Sequence, residues 1–392
     1  MGEVAARLHV PAVIGEIVAG VLLGPSLLGW VQPGETLHLL ANIGVILLLF
    51  EVGMETDLAR LMRTGAIPFV VAAVGVVVPL GAGLAAGLWL FHLPISAALF
   101  VGGALTATSI GITMRVFRDL KAQQSHPAQV VLGAAVLDDV IGVLLLALLC
   151  SYSAGAIHWV SMGRVLLSIV LFFALAPVVG RLLSLVIQRF EATSDIPGLI
   201  PAAIVSLLLF FAWTAHAVGA PELLGGFAAG LALTRQFSLP LGARLNLAQD
   251  PDFVHRVEGQ IRPIVHLFSP IFFVFVGISL DLRVVDWASL HIWILTAVLL
   301  AAAVIGKLLA GLILVRETWF TRWVVGLAMV PRGEVGLIFA QIGKSAGILD
   351  DEVYAALILV IALGTLAPPL VLRWLYEAHG PPPEAAARNS ST

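Results

Sequence analysis

Long apolar stretches, separated by short joints rich in Pro, Gly or polar residues, follow one another along almost the whole chain. A helix of about twenty apolar residues is long enough to cross the hydrocarbon core of a membrane. The pattern predicts about twelve such helices, with one longer loop at 236–261. They are expected at 11–29, 36–56, 66–91, 94–119, 127–154, 162–188, 197–217, 221–235, 262–281, 288–315, 321–344 and 350–377.

The composition supports an all-α polytopic membrane protein. Of the 392 residues, 60% are hydrophobic and only 11% are charged, so a soluble fold of this length would have a largely apolar surface. The single cysteine, Cys150, excludes an intramolecular disulfide framework. Polar and Pro-rich residues 379–392 are typical of a disordered tail. We therefore expect one membrane domain over 1–378, followed by a short disordered tail.

The basic residues indicate the orientation of the chain in the membrane. Of the 21 Lys and Arg residues, only Arg164, Arg283 and Lys344 fall at predicted helix ends on one side. Lys307 and Arg332 lie within predicted spans, and all the others fall on the opposite side. Because cytoplasmic loops carry an excess of basic residues, both ends of the chain are expected to be cytoplasmic.

Two parts of the chain share short motifs in the same order. Residues 11–23 align with 221–233, and residues 52–58 align with 276–282. The two copies of each motif lie on spans that run in opposite directions, which predicts inverted repeats with a site near the membrane midplane, as in secondary transporters. Repeat one is expected at 11–154, a linker helix at 162–188 and repeat two at 197–378.

Charged residues inside the apolar stretches mark the candidate site. Asp138 and Asp139 are adjacent within one stretch and Lys307 lies in another. A charge near the bilayer centre costs at least ~2.5–3.5 kcal/mol and usually marks an ion or proton pathway. Such charges need a partner charge, a water-filled cavity or a proton, and the sequence offers all three.

Two further stretches carry signals for interrupted helices. Residues 102–111 are rich in Gly and hydroxyl side chains, and residues 330–334 read Val-Pro-Arg-Gly-Glu. Proline removes a main-chain donor and disfavours helix at the preceding residue. Counted at about 1.5 Å per residue, both interruptions and the three charges reach the middle of a ~30 Å hydrocarbon core. The supporting site residues expected there are Thr106, Thr108, Ser109, Arg332 and Glu334.

The motifs GEIVAGVLLGP, AAVLDDVIG, SPIFFVFVGISLDL and MVPRGEVGLI together resemble bacterial sodium/proton exchangers of the monovalent cation:proton antiporter-2 family. The resemblance covers roughly residues 8–375. It implies a homodimer in which a core domain, around 66–154 and 288–378, carries two crossed discontinuous helices and moves against a dimerisation domain. Repeat two begins with the span at 197–217 before Pro221, whereas no apolar span precedes Pro11. Either the fold tolerates a missing first helix or, as we expect, a further helix lies upstream. Family members have thirteen helices and the first contributes to the dimer interface, so the dimer is the inference that this gap weakens most.

The resemblance also implies the chemistry of the site. Asp139 would be the Na⁺ or Li⁺ ligand, while Asp138 would pair with Lys307 and join Asp139 on the cation when Lys307 loses its proton. The Asp-Asp pair is typical of electrogenic exchange by alternating access in the bacterial inner membrane. No covalent chemistry, enzyme activity, nucleic-acid partner or cofactor beyond the transported ions is implied.

Two other functions stay open at this point. A K⁺/H⁺ antiporter would use the same architecture. A sodium-coupled symporter for organic anions would also have crossed helices, but it should offer an aromatic or hydrogen-bonding pocket for its solute. A membrane hydrolase is disfavoured because no Ser/His or metal constellation falls at the midplane.

Overall fold

A computed structural model of the chain describes residues 1–7, 10–56, 64–153, 159–191, 198–233 and 251–379. The expected tail from residue 380 onward and the first part of the longer loop, up to residue 250, lie outside these ranges. Within them every regular element is helical and no strand occurs. The predicted all-α class is confirmed.

Fifteen α-helices are found in the described ranges. They are α1 Gly2–Arg7, α2 Ala12–Leu23, α3 Glu35–Glu55, α4 Ile67–Ala85, α5 Ile95–Thr106, α6 Ile110–Asp119, α7 His126–Ser153, α8 Trp159–Glu191, α9 Leu199–Ala217, α10 Glu222–Leu233, α11 Pro251–Ser279, α12 Leu290–Leu312, α13 Trp319–Ala328, α14 Glu334–Ser345 and α15 Asp351–His379. A π-helical turn, Ala86–Leu90, extends α4, and a 3-10 turn, Leu282–Val284, follows α11.

In the described residues, nine helical segments are long and apolar enough to cross a membrane. One of them combines α5 and α6, which are separated by three residues. The predicted spans at 11–29 and 221–235 correspond to the shorter apolar helices α2 and α10, and the span at 321–344 corresponds to α13 and α14. Helices therefore occur at each predicted span, while the total of twelve crossings stays a prediction.

The first of two compact units comprises Met1–Pro33, Thr64–His158 and Phe273–Thr392. In it α4 packs against α5, α7 and α12, while α12 also packs against α13 and α15. Helices α5 and α14, one from each of the two stretches expected to be interrupted, pack against each other. Apolar side chains such as Phe100, Leu295, Phe339 and Leu357 form a buried cluster between these helices. All the candidate site residues belong to this unit.

The second unit comprises Gly34–Arg63 and Trp159–Phe272. Helix α10 is central to it, packing against α3, α8 and α9. The contact between α10 and α3 is close because a Cβ atom at Gly230 would lie 2.9 Å from the Cα atom of Gly53. Small residues permit this kind of approach between membrane helices. All the residues of this twelve-residue helix except the first are buried.

Candidate functional site

The first interruption lies between α5 and α6, within the predicted 102–111 region. Helix α5 ends at Thr106, and its C-cap Ala107 is extended, with φ −60° and ψ 132°. Helix α6 begins at Ile110 after Ser109, whose side-chain oxygen accepts from the Ile112 N–H at 3.5 Å. Serine is a favoured N-cap because its oxygen satisfies a free N–H of the first turn. Residues 107–109 therefore form a short extended segment between two half-helices.

The second interruption separates α13, which ends at Ala328, from α14, which begins at Glu334. Pro331 lies in this segment, where it removes a donor and disfavours helix at Val330. A Cβ atom at Gly333 would lie 2.8 Å from both the Cβ and the Oγ of Ser109, so only glycine fits beside the first interruption. The break expected from the Val-Pro-Arg-Gly-Glu sequence is present.

The two interruptions are hydrogen-bonded to each other. The Ser109 N–H donates to the Pro331 carbonyl at 2.8 Å, and the Thr108 hydroxyl donates to the Met329 carbonyl at 3.1 Å. One turn further along α6, the Thr113 hydroxyl donates to the Ala328 carbonyl at 2.8 Å. The last carbonyls of a helix have no partner within it, so residues of the first interruption and of α6 satisfy the C-terminal end of α13.

Arg332 makes the reciprocal contact with the C-terminal end of α5. Its side chain is buried, at 1% exposure, and its Nη1 donates to the Ala107 carbonyl at 2.5 Å. Its Nη2 lies 3.5 Å from the Ala303 carbonyl on α12. A cation is favourable at a helix C-terminus, where the helix dipole is negative. Arg332 thus balances the end of α5 and also contacts the helix that carries Lys307.

The charged centre of the site is a buried ion pair. Lys307 Nζ lies 3.2 Å from Asp138 Oδ2, and the two side chains are 0% and 1% exposed. The second carboxylate oxygen of Asp138, Oδ1, is buried and has no hydrogen-bond partner in the described part of the chain. Arg332 is close enough to interact electrostatically with Asp138. Two acids, Asp138 and the buried Asp139, therefore share this region with two basic side chains.

The structure brings most of the predicted site residues together. The pair between Asp138 and Lys307, implied by the resemblance, is present, and Thr108, Ser109 and Arg332 link the interruptions. The Thr106 hydroxyl instead donates to the Gly103 carbonyl within its own helix, at 2.8 Å.

One predicted site residue cannot be compared with the structure. Glu334 is the first residue of α14, but its side chain lies outside the described part of the structure. The expected contact of Arg332 with its neighbours is present, whereas an Arg332–Glu334 pair stays a prediction. The crossed arrangement of the half-helices, implied by the resemblance, also stays a prediction.

The sequence analysis did not single out Thr113 and Thr365. The Thr365 hydroxyl on α15 donates to the main-chain carbonyl of Arg332 at 2.7 Å. Helix α15 therefore also holds the second interruption. Thr113 is in the first turn of α6, four residues after the N-cap Ser109, and a hydroxyl residue this close to the first interruption was an available signal. Threonine is common in membrane helices, so Thr365 on its own gives no signal.

Known proteins resemble the chain over nearly its whole length. The sequence pattern of the family described as sodium/hydrogen exchanger, transmembrane, matches residues 1–378. The high-affinity Na⁺/H⁺ antiporter NhaS3 of Synechocystis is 33% identical, over 96% of this chain and 87% of that protein. The Na⁺/H⁺-K⁺ antiporter GerN of Bacillus cereus is 32% identical, over 96% and 93%.

A solved structure has a similar fold. The sodium proton antiporter MjNhaP1 of Methanocaldococcus jannaschii matches with a TM-score of 0.63 at 16% identity, over 96% of this chain and 92% of that one. At this identity the match concerns the fold alone, and it agrees with the all-helical architecture described above. Together with the family match over residues 1–378, these similarities show that the chain belongs to the sodium/hydrogen exchanger family of membrane transporters and is not an enzyme.

Proposed function

We propose that this protein exchanges Na⁺ for protons across a cytoplasmic membrane by alternating access, with Asp138, Asp139 and Lys307 binding the ions. The observation that carries the proposal is the fully buried Lys307–Asp138 pair, 3.2 Å apart, in the unit that holds the two hydrogen-bonded interruptions. A buried pair of this kind is weak evidence for a stabilising role, because desolvation offsets most of its attraction. Ionisable groups inside a membrane segment are instead functional candidates by default.

The buried Oδ1 of Asp138, which has no hydrogen-bond partner among the described residues, supports a role in cation binding. A buried carboxylate oxygen without a donor is costly, and a hard monovalent cation is a chemically suitable partner for it. In the exchange that we propose, Na⁺ binds Asp139 and Asp138 when Lys307 releases its proton. Na⁺ and protons then compete for one set of groups, and alternating access converts this competition into exchange. Because a proton leaves Lys307 in addition to any that leaves Asp139, we expect the cycle to be electrogenic.

Exchange of K⁺ is a second candidate, because the relative from Bacillus cereus is named an Na⁺/H⁺-K⁺ antiporter. Dissipation of an imposed proton gradient in proteoliposomes, on addition of Na⁺, Li⁺ or K⁺ without any organic solute, separates the candidates. A response to Na⁺ or Li⁺ supports the proposal. A response to K⁺ alone supports the second candidate. Dependence on an organic anion would support a sodium-coupled symporter.

The wider architecture is proposed in the same terms. We propose a homodimer in the inner membrane of a bacterium, with a membrane domain over 1–378 built from inverted repeats at 11–154 and 197–378 on either side of the linker helix 162–188. The core domain that we propose covers residues around 66–154 and 288–378. Support comes from the repeated sequence motifs and from membership of the exchanger family. The mass of the purified protein in detergent tests the dimer, and a monomer at all concentrations would contradict it.

We expect Asp139→Asn to abolish Na⁺-dependent proton flux, because an amide lacks the negative charge that the cation requires. The measurement uses purified protein in proteoliposomes, after folding has been checked by thermal melting. Asp351→Asn is a matched control, since that carboxylate is on an exposed helix start with 90% of its side chain accessible and should leave exchange unchanged. Wild-type flux in folded Asp139→Asn would contradict the assignment of Asp139.

A further inference from the structure

Thr365 is a buried threonine on α15 whose hydroxyl reaches two carbonyls. Its Oγ1 lies 2.7 Å from the Arg332 carbonyl and 2.6 Å from the Ile361 carbonyl. The Ile361 carbonyl lies four residues earlier on the same helix, so it is the acceptor for the Thr365 N–H in the helical ladder. The Arg332 carbonyl lies in the interruption, outside that ladder. Because the Ile361 carbonyl has the Thr365 N–H as its helical donor, we infer that the hydroxyl donates to the Arg332 carbonyl.

A second contact from the same helix holds Arg332. Gly364 packs beside the arginine side chain, since a Cβ atom at Gly364 would lie 3.1 Å from the Cγ of Arg332. Thr365 thus fixes the arginine's carbonyl while Gly364 leaves room for its side chain. Adjacent residues of α15 therefore contact both the main chain and the side chain of Arg332.

The guanidinium of Arg332 carries this placement to the ion site. It donates to the Ala107 carbonyl at 2.5 Å and lies 3.5 Å from the Ala303 carbonyl. Ala303 precedes Lys307 by four residues, so its carbonyl is the helical acceptor for the Lys307 N–H. Arg332 also interacts electrostatically with Asp138 and Lys307. A displacement of the Arg332 guanidinium would therefore change the electrostatic interaction between its positive charge and the Lys307–Asp138 pair.

We propose that Thr365 is a positioning residue for cation exchange, which holds the Arg332 carbonyl and thereby fixes the guanidinium against the end of α5 and beside the ion pair. The proposal rests on the proposed function, because it assumes that this pair takes part in transport. Thr365 acts through Arg332 and does not itself need to touch the cation.

The effect of removing the hydroxyl follows from the Arg332 carbonyl. Without a donor, a buried carbonyl must shift to find another partner, and the interruption and the guanidinium shift with it. A hydrogen bond of ordinary net strength corresponds to a change of about three- to tenfold in an equilibrium constant. Thr365→Val keeps the shape of the side chain and removes the hydroxyl. We therefore expect it to raise the apparent KM for Na⁺ by about three- to tenfold, with a smaller change in the maximal rate.

The test measures Na⁺-dependent proton flux against Na⁺ concentration in proteoliposomes. Thr365→Ser restores the hydroxyl and should return the KM to the wild-type value. Thr296→Val is the matched control, because the Thr296 hydroxyl on α12 is also buried but has no hydrogen-bond partner in the described residues. It should leave the KM unchanged. A folded Thr365→Val protein with wild-type KM would overturn the proposal, whether or not its melting temperature is lowered.

Gly364→Ala provides an independent test should Thr365→Val fail to fold. Its methyl group presses on the Arg332 side chain from the same helix and leaves the Thr365 hydroxyl in place, so we expect a raised KM here too. A wild-type KM in this folded variant would count against the proposal. If the wild-type protein itself exchanged no Na⁺, the proposed function would fail; normal wild-type exchange with an unchanged KM in both variants would reject only the role of Thr365.

Discussion

At the scale of single residues, the sequence was most informative where a charged residue lies within an apolar stretch. Asp138, Asp139 and Lys307 stand out because each is a charge within an apolar stretch, and Lys307 and Asp138 do form a buried pair. Thr365 could not be found in this way, because a threonine is compatible with a membrane helix. Its importance depends on a partner, Arg332, that is 33 residues away in the sequence.

Lys307→Gln should separate a transport role from a structural one. Removing one partner of a buried pair leaves the other charge uncompensated, so the free energy of unfolding should fall by about 3–5 kcal/mol under either role. If Lys307 carries a transported proton, the mutant that still exchanges should also move less net charge per cycle. Na⁺-driven proton flux measured at imposed membrane potentials tests this. Lys344→Gln, whose parent side chain forms a partly exposed pair with Asp351, is the control. Unchanged voltage dependence in an active Lys307→Gln protein would make Lys307 purely structural.

At the scale of helices, both interruptions were predictable, but their causes differ from a simple count of glycines. Helix α5 runs through Gly102 and Gly103 without a break. A Cβ atom at Gly102 would lie 2.7 Å from the Leu80 carbonyl, and one at Gly103 would lie 2.6 Å from the Phe339 ring. These glycines therefore permit close packing against α4 and α14. The chain departs from helix later, at 107–109, where capping by Ser109 and contacts with the second interruption replace helical hydrogen bonds. Such packing depends on distant residues and leaves no local pattern.

Gly333→Ala should disrupt the contact between the two interruptions. The new methyl group would lie 2.8 Å from the Ser109 side chain, too close for two nonbonded heavy atoms, so the segment from Val330 to Gly333 must move. We expect lower thermal stability and loss of most Na⁺-dependent proton flux. Gly142→Ala, on the helix that carries Asp138, is the control. Its methyl group would meet Val335 at an ordinary van der Waals distance of 3.8 Å. Wild-type flux and melting temperature in Gly333→Ala would show that this close contact is not required.

At the scale of the whole molecule, hydropathy was sufficient to predict the class of the protein, and charge was needed for its orientation. Tryptophans in the first unit agree with the predicted membrane boundaries. Trp30, Trp89 and Trp287 are exposed near predicted outer helix ends, and Trp319 and Trp374 are exposed near predicted inner ends. Tryptophan is enriched at both membrane interfaces. The division into two units could not be read from hydropathy, because each unit is assembled from segments far apart in the sequence.

The orientation predicted from the basic residues can be tested with cysteine labelling. The chain has one cysteine, so Cys150→Ala provides a background without thiols. Leu27→Cys then places a thiol at an exposed position near a predicted outer helix end, and Arg316→Cys places one at an exposed position near a predicted inner end. Because positively charged loops stay in the cytoplasm, a membrane-impermeant thiol reagent should label Leu27→Cys in intact cells and Arg316→Cys only after permeabilisation. The background protein should stay unlabelled in both conditions. The opposite pattern of labelling would invert the orientation, and with it the side from which Na⁺ is taken up for exchange.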